Sequence, residues 1–291
     1  MKKKSVLTIG FFDGVHIGHK KLIEKVVNEG EKKNLRKILL TFDRPPQKVT
    51  GLLTPLKEKL YILNDFSLDD IQVIRFDKKF ANTLPEDFFY NILIKRFNVH
   101  KIIVGYDFVF GKNRSGNIRM LTSLCKKNNV ELSVVEPVKL NNKIVSSSYI
   151  RELLLKGKIE KANEMLGKFY SLEGEIIKGR GLGSKIGFPT ANLKVDKDKL
   201  LPQGIFLGFS LLGDSLYKSV ANIGFCPTIY NRKKTLKTEV HIIDFSENIY
   251  GESVKFFFLK KICDEKKFKN INDLKNHIER DVEYAKKFFY N

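Results

Sequence analysis

The sequence predicts an α/β domain followed by a β domain. The first is a doubly wound parallel sheet over residues 1–166, and the second a small β-barrel or sandwich with a closing helix over residues 167–291. Three observations predict this. Apolar runs of strand length alternate with segments of helical periodicity through the first half. After Lys168 short β-type runs with frequent glycines take over. Ile271, Leu274, Ile278, Val282 and Ala285 then form one helical stripe near the end. A chain of 291 residues also exceeds what one core usually serves.

Taken in order, Ser5–Gly10 reads as a buried strand. His19–Lys32 reads as a helix with Leu22, Ile23, Val26 and Val27 on one side. Lys37–Phe42, Ile71–Phe76, Lys101–Gly105 and Val130–Glu136 follow as strands. Pro55–Leu63, Pro85–Phe97 and Ile118–Asn128 suit helices, and Pro85 occupies a first turn, where its missing N–H costs nothing. This alternation implies parallel strands joined by right-handed crossovers. Tyr149–Leu166 reads as helix in two pieces broken at Gly157. In the second domain, strands are expected at Tyr170–Ile177, Gly204–Leu211, Tyr217–Ile223, Lys237–Ile243 and Ser253–Leu259.

The formal charge is +20, from 53 basic and 33 acidic residues. The lysines are scattered in short clusters, with no arginine-rich arm, which reads as solvated faces rather than a nucleic-acid footprint. The three cysteines, Cys125, Cys226 and Cys263, are far apart and lack paired metal spacing, so reduced cytoplasmic thiols are expected. The apolar run after Lys4 stops at Asp13 without a small-residue cleavage site, so it is expected to be a strand and not a leader. No apolar stretch is long enough to suggest a membrane span.

Between the first strand and the first helix the chain reads Gly-Phe-Phe-Asp-Gly-Val-His-Ile-Gly-His, residues 10–19. Ligands bind at the carboxyl ends of strands in such sheets. Glycines admit a phosphate close to the backbone, and a helix N-terminus favours its charge. The chain has five histidines, and His16 and His19 fall within four residues here. Both are positioned to donate to ATP as charge builds at the α-phosphorus. A third ligand that would make this a metal site is absent nearby.

His16-Ile-Gly-His19 resembles the signature of the nucleotidyltransferase superfamily, and the longer segment resembles its FAD synthetase branch, found in bifunctional bacterial riboflavin kinase/FMN adenylyltransferases. The resemblance implies that Gly10, Phe11, Asp13, Gly14 and Gly18 line an ATP-phosphate loop, with His16 and His19 catalytic. Gly105-Tyr-Asp-Phe-Val-Phe-Gly111 is similar to a family segment after the fourth strand, and implies flavin contacts from Asp107, Phe108 and Phe110. Ser146-Ser-Ser-Tyr-Ile-Arg151 is similar to the family's Ser-Ser-Thr-x-x-Arg, with Ser148 in place of the threonine, and implies a phosphate grip by Ser147, Ser148 and Arg151. Arg44 and Pro45 depart from the family's Pro-His-Pro loop.

A second constellation begins at Gly179. Four glycines, at 179, 181, 183 and 187, fall within nine residues around Lys185 and suit a flap over polyphosphate. Pro189-Thr-Ala-Asn192 resembles the riboflavin kinase signature, and implies that Thr190 and Asn192 hold Mg²⁺ with the nucleotide. Ala221–Thr228 and Glu239–Phe245 are similar to further family segments, and Glu239 is the general base the resemblance implies. His241, on the same strand face as Glu239, reads as structural. Cys263 stands where arginine is common in the family. No Gly-x-x-x-x-Gly-Lys-Ser/Thr loop is present.

The resemblance implies a β-barrel for the second domain, with ATP-dependent phosphorylation of riboflavin to FMN and adenylylation of FMN to FAD. ATP, Mg²⁺ and flavins are the expected ligands, with no nucleic acid, membrane or obligate protein partner. Loss of one activity through the departures at Arg44, Pro45 or Cys263, or a basic nucleic-acid-binding role, are the alternatives.

Overall fold

The computed structural model describes residues 3–179, 187–226, 235–266 and 271–290. Two compact units are formed, Met1–Ser147 and Ser148–Asn291.

In the first unit, β1 (Ser5–Ile9), β2 (Arg36–Phe42), β3 (Asp70–Ile74), β4 (Val99–Gly105) and β5 (Glu131–Val135) pair in parallel, in the order β3-β2-β1-β4-β5. Every residue of β1 is buried, as a central parallel strand covered on both faces must be. Its side chains alternate between faces. Leu7 and Ile9 join Ile38, Leu40, Ile102 and Val104 in one core layer, and Val6 joins Val26, Ile103 and Val135 in another.

The helices are α1 (Ile17–Lys33), α2 (Leu56–Leu63), α3 (Lys78–Ala81), α4 (Pro85–Asp87, continuing as π-helix Phe88–Arg96) and α5 (Ile118–Lys127). The sequence predicts an ordinary helix over Pro85–Phe97. The wider π turns still bury Phe88, Phe89 and Leu93 in the core.

In the second unit, α6 (Ser147–Leu155) and α7 (Ile159–Leu166) precede a closed barrel in the order β10-β11-β12-β9-β8-β13. The barrel strands are β8 (Ser171–Ile177), β9 (Ala191–Val195), β10 (Gly204–Leu212), β11 (Ser215–Cys226), β12 (Thr235–Ile242) and β13 (Ser253–Cys263). Phe206, Phe256 and Phe258 fill its interior edge to face, with centroids 4.9–5.0 Å apart. A final helix, α8 (Ile271–Tyr290), buries Val282 and Ala285, and Ala285 packs on Leu207, Val220 and Ile243 outside the barrel. Ile271 and Leu274 of the expected stripe have side chains outside the described residues.

The sequence pattern places the domain boundary at residue 166, whereas packing groups α7 with the second unit. Asn163 ties α7 to the barrel, its Nδ2 donating to the Phe258 carbonyl at 2.9 Å and its Oδ1 accepting from the Tyr170 N–H at 2.7 Å. A short hairpin, β6 (Lys139–Leu140) with β7 (Lys143–Ile144), turns through Asn141 and Asn142, both at positive φ, a turn for which Asn is suited.

Two candidate active sites

The strand order reverses between β1 and β4, so their C-terminal ends open a crevice in the first unit. The β1–α1 turn crosses it under strain. Phe12 (φ +55°) and Val15 (φ +42°) both adopt left-handed backbone, which costs a β-branched residue about 1–3 kcal/mol. Packing holds the turn, because Phe12 and Val15 are buried against Ile23, Leu39 and Leu63. Polar bonds hold it too. The buried Asp13 carboxylate accepts from the N–H groups of Leu53 (3.1 Å) and Thr54 (2.9 Å), and the Gly14 N–H donates to Thr54 Oγ1 at 2.8 Å. Ser147 Oγ donates to the Asp13 carbonyl at 2.8 Å. Asp13 therefore directs its carboxylate to the loop's own scaffold.

His16 is the N-cap of α1, and its Nδ1 accepts the His19 backbone N–H at 3.3 Å. When His16 is neutral its proton is therefore on Nε2. The two imidazoles stack 3.5 Å apart at 17°. A Cβ on Gly18 would come within 3.2 Å of His16 Nδ1, so only glycine leaves the stack undisturbed. The first turn of α1 carries no acidic residue, and its positive dipole end remains available to an anion.

A cleft of about 700 Å³ extends from this turn, lined by Gly10, Phe11, His19, Asp107, Phe108 and Phe110 among others. Phe108 and Phe110 stack at 5.5 Å and 14°. Phe110 belongs to the core, Phe108 is half-buried, and Asp107 is exposed.

In the second unit, antiparallel register places Glu239 of β12 opposite Asn192 of β9 on one side and Asn222 of β11 on the other. Directly opposed residues share a face with Cβ atoms about 5 Å apart. The intervening Thr238, Val240 and Ala221 are buried inside the barrel, so the Asn192–Glu239–Asn222 row lies on its outer face. Asn222 Oδ1 is buried without a hydrogen-bond partner among the described residues. Thr190, two residues before Asn192, lines a pocket of about 210 Å³ with Pro189, Phe245 and Tyr250. His241 donates from Nδ1 to the Pro189 carbonyl at 2.8 Å and meets the Phe188 ring edge on. Burial lowers the His241 pKa, and that hydrogen bond opposes the shift.

The family described as FAD synthetase matches residues 1–149, and the family described as riboflavin kinase matches residues 166–289. The chain belongs to the bifunctional riboflavin kinase/FMN adenylyltransferase family. Relatives of that name include one from Buchnera aphidicola (Schizaphis graminum), 35% identical over 99% of this chain and 95% of its own length. The Bacillus subtilis relative is 34% identical over 99% of this chain and 93% of its own. The Escherichia coli K12 relative is 33% identical over 98% and 92%. A solved structure described as a macrolide-efflux protein from Streptococcus pneumoniae is similar throughout, with TM-score 0.86, 27% identity, and coverage of 98% of this chain and 95% of that one. Among the described residues of the present chain, no helix is long and apolar enough to cross a membrane.

For this family member, the residues expected from sequence divide as follows. Gly10, Phe11, His19, Asp107, Phe108 and Phe110 line the cleft. Asp13, Gly14, His16, Gly18 and Ser147 form the turn and stack beside it. Ser148 and the buried Arg151 lie on α6, grouped with the second unit. Thr190, Asn192 and Glu239 gather on β9, its approach and β12, whereas Gly181, Gly183 and Lys185 lie outside the described residues. Gly187 is exposed at φ +90°. Gly179 backs Asn192 so closely that a Cβ would approach Asn192 Nδ2 to 2.1 Å. Gly179→Ala should therefore displace Asn192 and lower riboflavin phosphorylation while FMN adenylylation persists, as separate assays from riboflavin and from FMN would report.

Two contributors escaped the sequence reading. Asn222 lies within the Ala221–Thr228 segment, but its place beside Glu239 comes only from strand register. Lys59 is the second, a fully buried lysine on α2. Its Nζ donates to the Phe11 carbonyl (2.9 Å), Thr41 Oγ1 (3.0 Å) and the Phe42 carbonyl (3.0 Å), tying the β1 turn to the end of β2. Burial lowers its pKa from 10.5 to about 8, with Asp13 and Asp43 opposing the shift. Lys59→Met removes the donor to the Phe42 carbonyl and to Thr41 Oγ1, while the Phe11 carbonyl still accepts from Thr41 Oγ1 at 3.1 Å, and it should cost about 1–2 kcal/mol of stability.

The pH dependence follows from the same shift. Between pH about 8 and 10.5 the unfolded chain holds this proton and the folded chain has released it. Stability from Lys59 therefore rises with pH across that window, by at most about 3 kcal/mol. Denaturation midpoints of wild type and Lys59→Met, compared across the window, measure it; a gap that stays constant contradicts the shift.

Proposed function

We propose that the chain phosphorylates riboflavin to FMN at the barrel and adenylylates FMN to FAD at the parallel-sheet crevice, using one ATP for each step. The observation that carries this reading is the match of bifunctional relatives across 98–99% of the chain, both sites included. At the barrel, Glu239 takes the proton of the terminal ribityl hydroxyl as that oxygen attacks the γ-phosphorus, and ADP leaves. The oxygens of Thr190, Asn192 and Asn222 form the neutral, hard donor set that suits Mg²⁺ beside nucleotide phosphates. Mg²⁺, when bound there, neutralises charge on the transferred phosphoryl group. The resemblance assigns polyphosphate binding to Gly179 and Gly187, and to Gly181, Gly183 and Lys185 outside the described residues. His241 fixes Pro189, and through it the approach to Thr190.

At the crevice, an FMN phosphate oxygen attacks the α-phosphorus of ATP and pyrophosphate leaves. That phosphate is already ionised near neutrality, so the step needs charge stabilisation and alignment more than a base. His16 and His19 supply donors at the positive end of α1, with Ser147 beside them; Ser148 and Arg151 are phosphate-binding residues by the family resemblance. Phe108 offers a ring to the isoalloxazine, Phe110 supports it from the core, and Asp107 accepts from flavin N–H groups. Residues 1–166 and 167–291 are the functional domains in this reading, and the reaction takes place in the cytoplasm on small-molecule substrates.

The test incubates purified protein with riboflavin, ATP and Mg²⁺ and separates the flavins by chromatography with fluorescence detection. FMN followed by FAD is expected. FMN alone, also when FMN is the starting flavin, removes the adenylylation half of the proposal. Failure to form either product removes both halves.

A further inference from the structure

Cys263 is the last residue of β13, and His277 and Asp281 lie one turn apart on α8. Their i, i+4 spacing presents both side chains on one helix face. Cys263 Sγ is 3.9 Å from His277 Nε2, and His277 Nε2 is 3.6 Å from Asp281 Oδ2. The three donor atoms all lie within 4.8 Å of one another. Asp281 is 8% exposed and the other two residues are half-buried.

We propose that Cys263, His277 and Asp281 form a tetrahedral zinc site that joins the closing helix to the last barrel strand, with water as the fourth ligand.

Geometry, donor chemistry and burial agree on this. Zn–S bonds near 2.3 Å and Zn–N bonds near 2.0 Å hold tetrahedral ligand atoms about 3.5 Å apart. Sulfur and nitrogen here need to close by a few tenths of an ångström, and sulfur and the Asp281 carboxylate, within 4.8 Å, by at most about 1.3 Å through side-chain rotation. A thiolate, an imidazole and one carboxylate select a borderline-soft ion such as Zn²⁺ over Mg²⁺, which demands oxygen. Burial raises the pKa of both Asp281 and Cys263, with Lys266 opposing each shift and Asp281 adding to that of Cys263. A dication among these groups relieves that burden by taking the carboxylate and thiolate in their ionised forms.

The site is separate from the phosphoryl-transfer chemistry. In the strand order of the barrel, β13 lies three strands from β12 in either direction, opposite Glu239. The ion's role in this proposal is to fasten α8 to β13. It adds a clamp to α8, which also docks through Val282, Ala285, Phe289 and the Lys286–Asp244 ion pair.

Full-length protein stripped with chelator, free of nucleotide and Mg²⁺, is titrated with Co²⁺ as a spectroscopic stand-in. The expected result is one Co²⁺ per chain, with a thiolate-to-cobalt charge-transfer band and tetrahedral visible absorption, both erased by added Zn²⁺. Cys263→Ser should abolish the charge-transfer band, whereas Cys125→Ser and Cys226→Ser should retain it. His277→Ala and Asp281→Asn should each weaken uptake more than ten-fold, and Zn²⁺ should raise the Tm of the stripped wild type by several degrees. Circular dichroism shows whether each variant is folded. Should Cys263→Ser fail to fold, the wild-type band and its weakening in Asp281→Asn decide the matter. A wild type without the band, or a band that survives Cys263→Ser, overturns the proposal.

Discussion

Glu239→Gln should lower riboflavin phosphorylation by about 10²–10⁴-fold, the usual share of a positioned general base. Gln preserves size and hydrogen-bonding capacity but cannot take a proton, so the loss should fall on kcat rather than KM. FMN adenylylation by the same variant should be unchanged, because His16 and His19 belong to the other packed unit. The neighbours sharpen the test. Asn192 and Asn222 flank Glu239 in the register, so a variant that merely disturbed the strand would change all three positions and shift KM as well. Assays started separately from riboflavin and from FMN distinguish the cases. An unimpaired kcat for phosphorylation would remove Glu239 from the role of base.

His19→Ala should lower FAD formation from FMN by about 10²–10³-fold, the cost of deleting one preorganised donor from a site of developing charge. His19 lines the cleft and stacks on His16. His16 needs a different substitution, because it also caps α1. Asn is among the best N-cap residues, so His16→Asn should keep the helix and still lose activity to a similar extent. His16→Ala removes cap and donor together and should cost about a further 1 kcal/mol of stability. In all three variants riboflavin phosphorylation should persist, so that FMN accumulates. Undiminished FAD formation by His19→Ala would exclude His19 from the adenylylation step.

Much of the fold is legible in the sequence because parallel strands buried on both faces must be continuously apolar. Ser5–Ile9 and Arg36–Phe42 are recognisable on that ground alone. Gly157, at φ +69°, breaks the helical stretch between α6 and α7 where the sequence pattern breaks it. β9 was harder to see. It is five residues long, follows Pro189, and carries Asn192 and Lys194 outward, so it reads as a ligand segment more readily than as a barrel strand. The π turns of Phe88–Arg96 were also hidden, since helical periodicity does not distinguish them from α turns over nine residues.

The sequence by itself determined the two-domain class, the glycine-histidine turn at a strand end, and the Thr190–Asn192 and Glu239 segments. Each is a local pattern, and the family resemblance assigns its chemistry. Only the tertiary structure decided which distant residues share a site. Strand register brought Asn222 and Asn192 to Glu239 across three strands. The packing of α2 buried Lys59 beneath the Phe11 carbonyl, and the docking of α8 carried His277 and Asp281 to Cys263. A lysine, an asparagine and a cysteine look ordinary in a linear chain, because burial and the identity of a partner across a sheet or helix arise only when non-local surfaces close on one another.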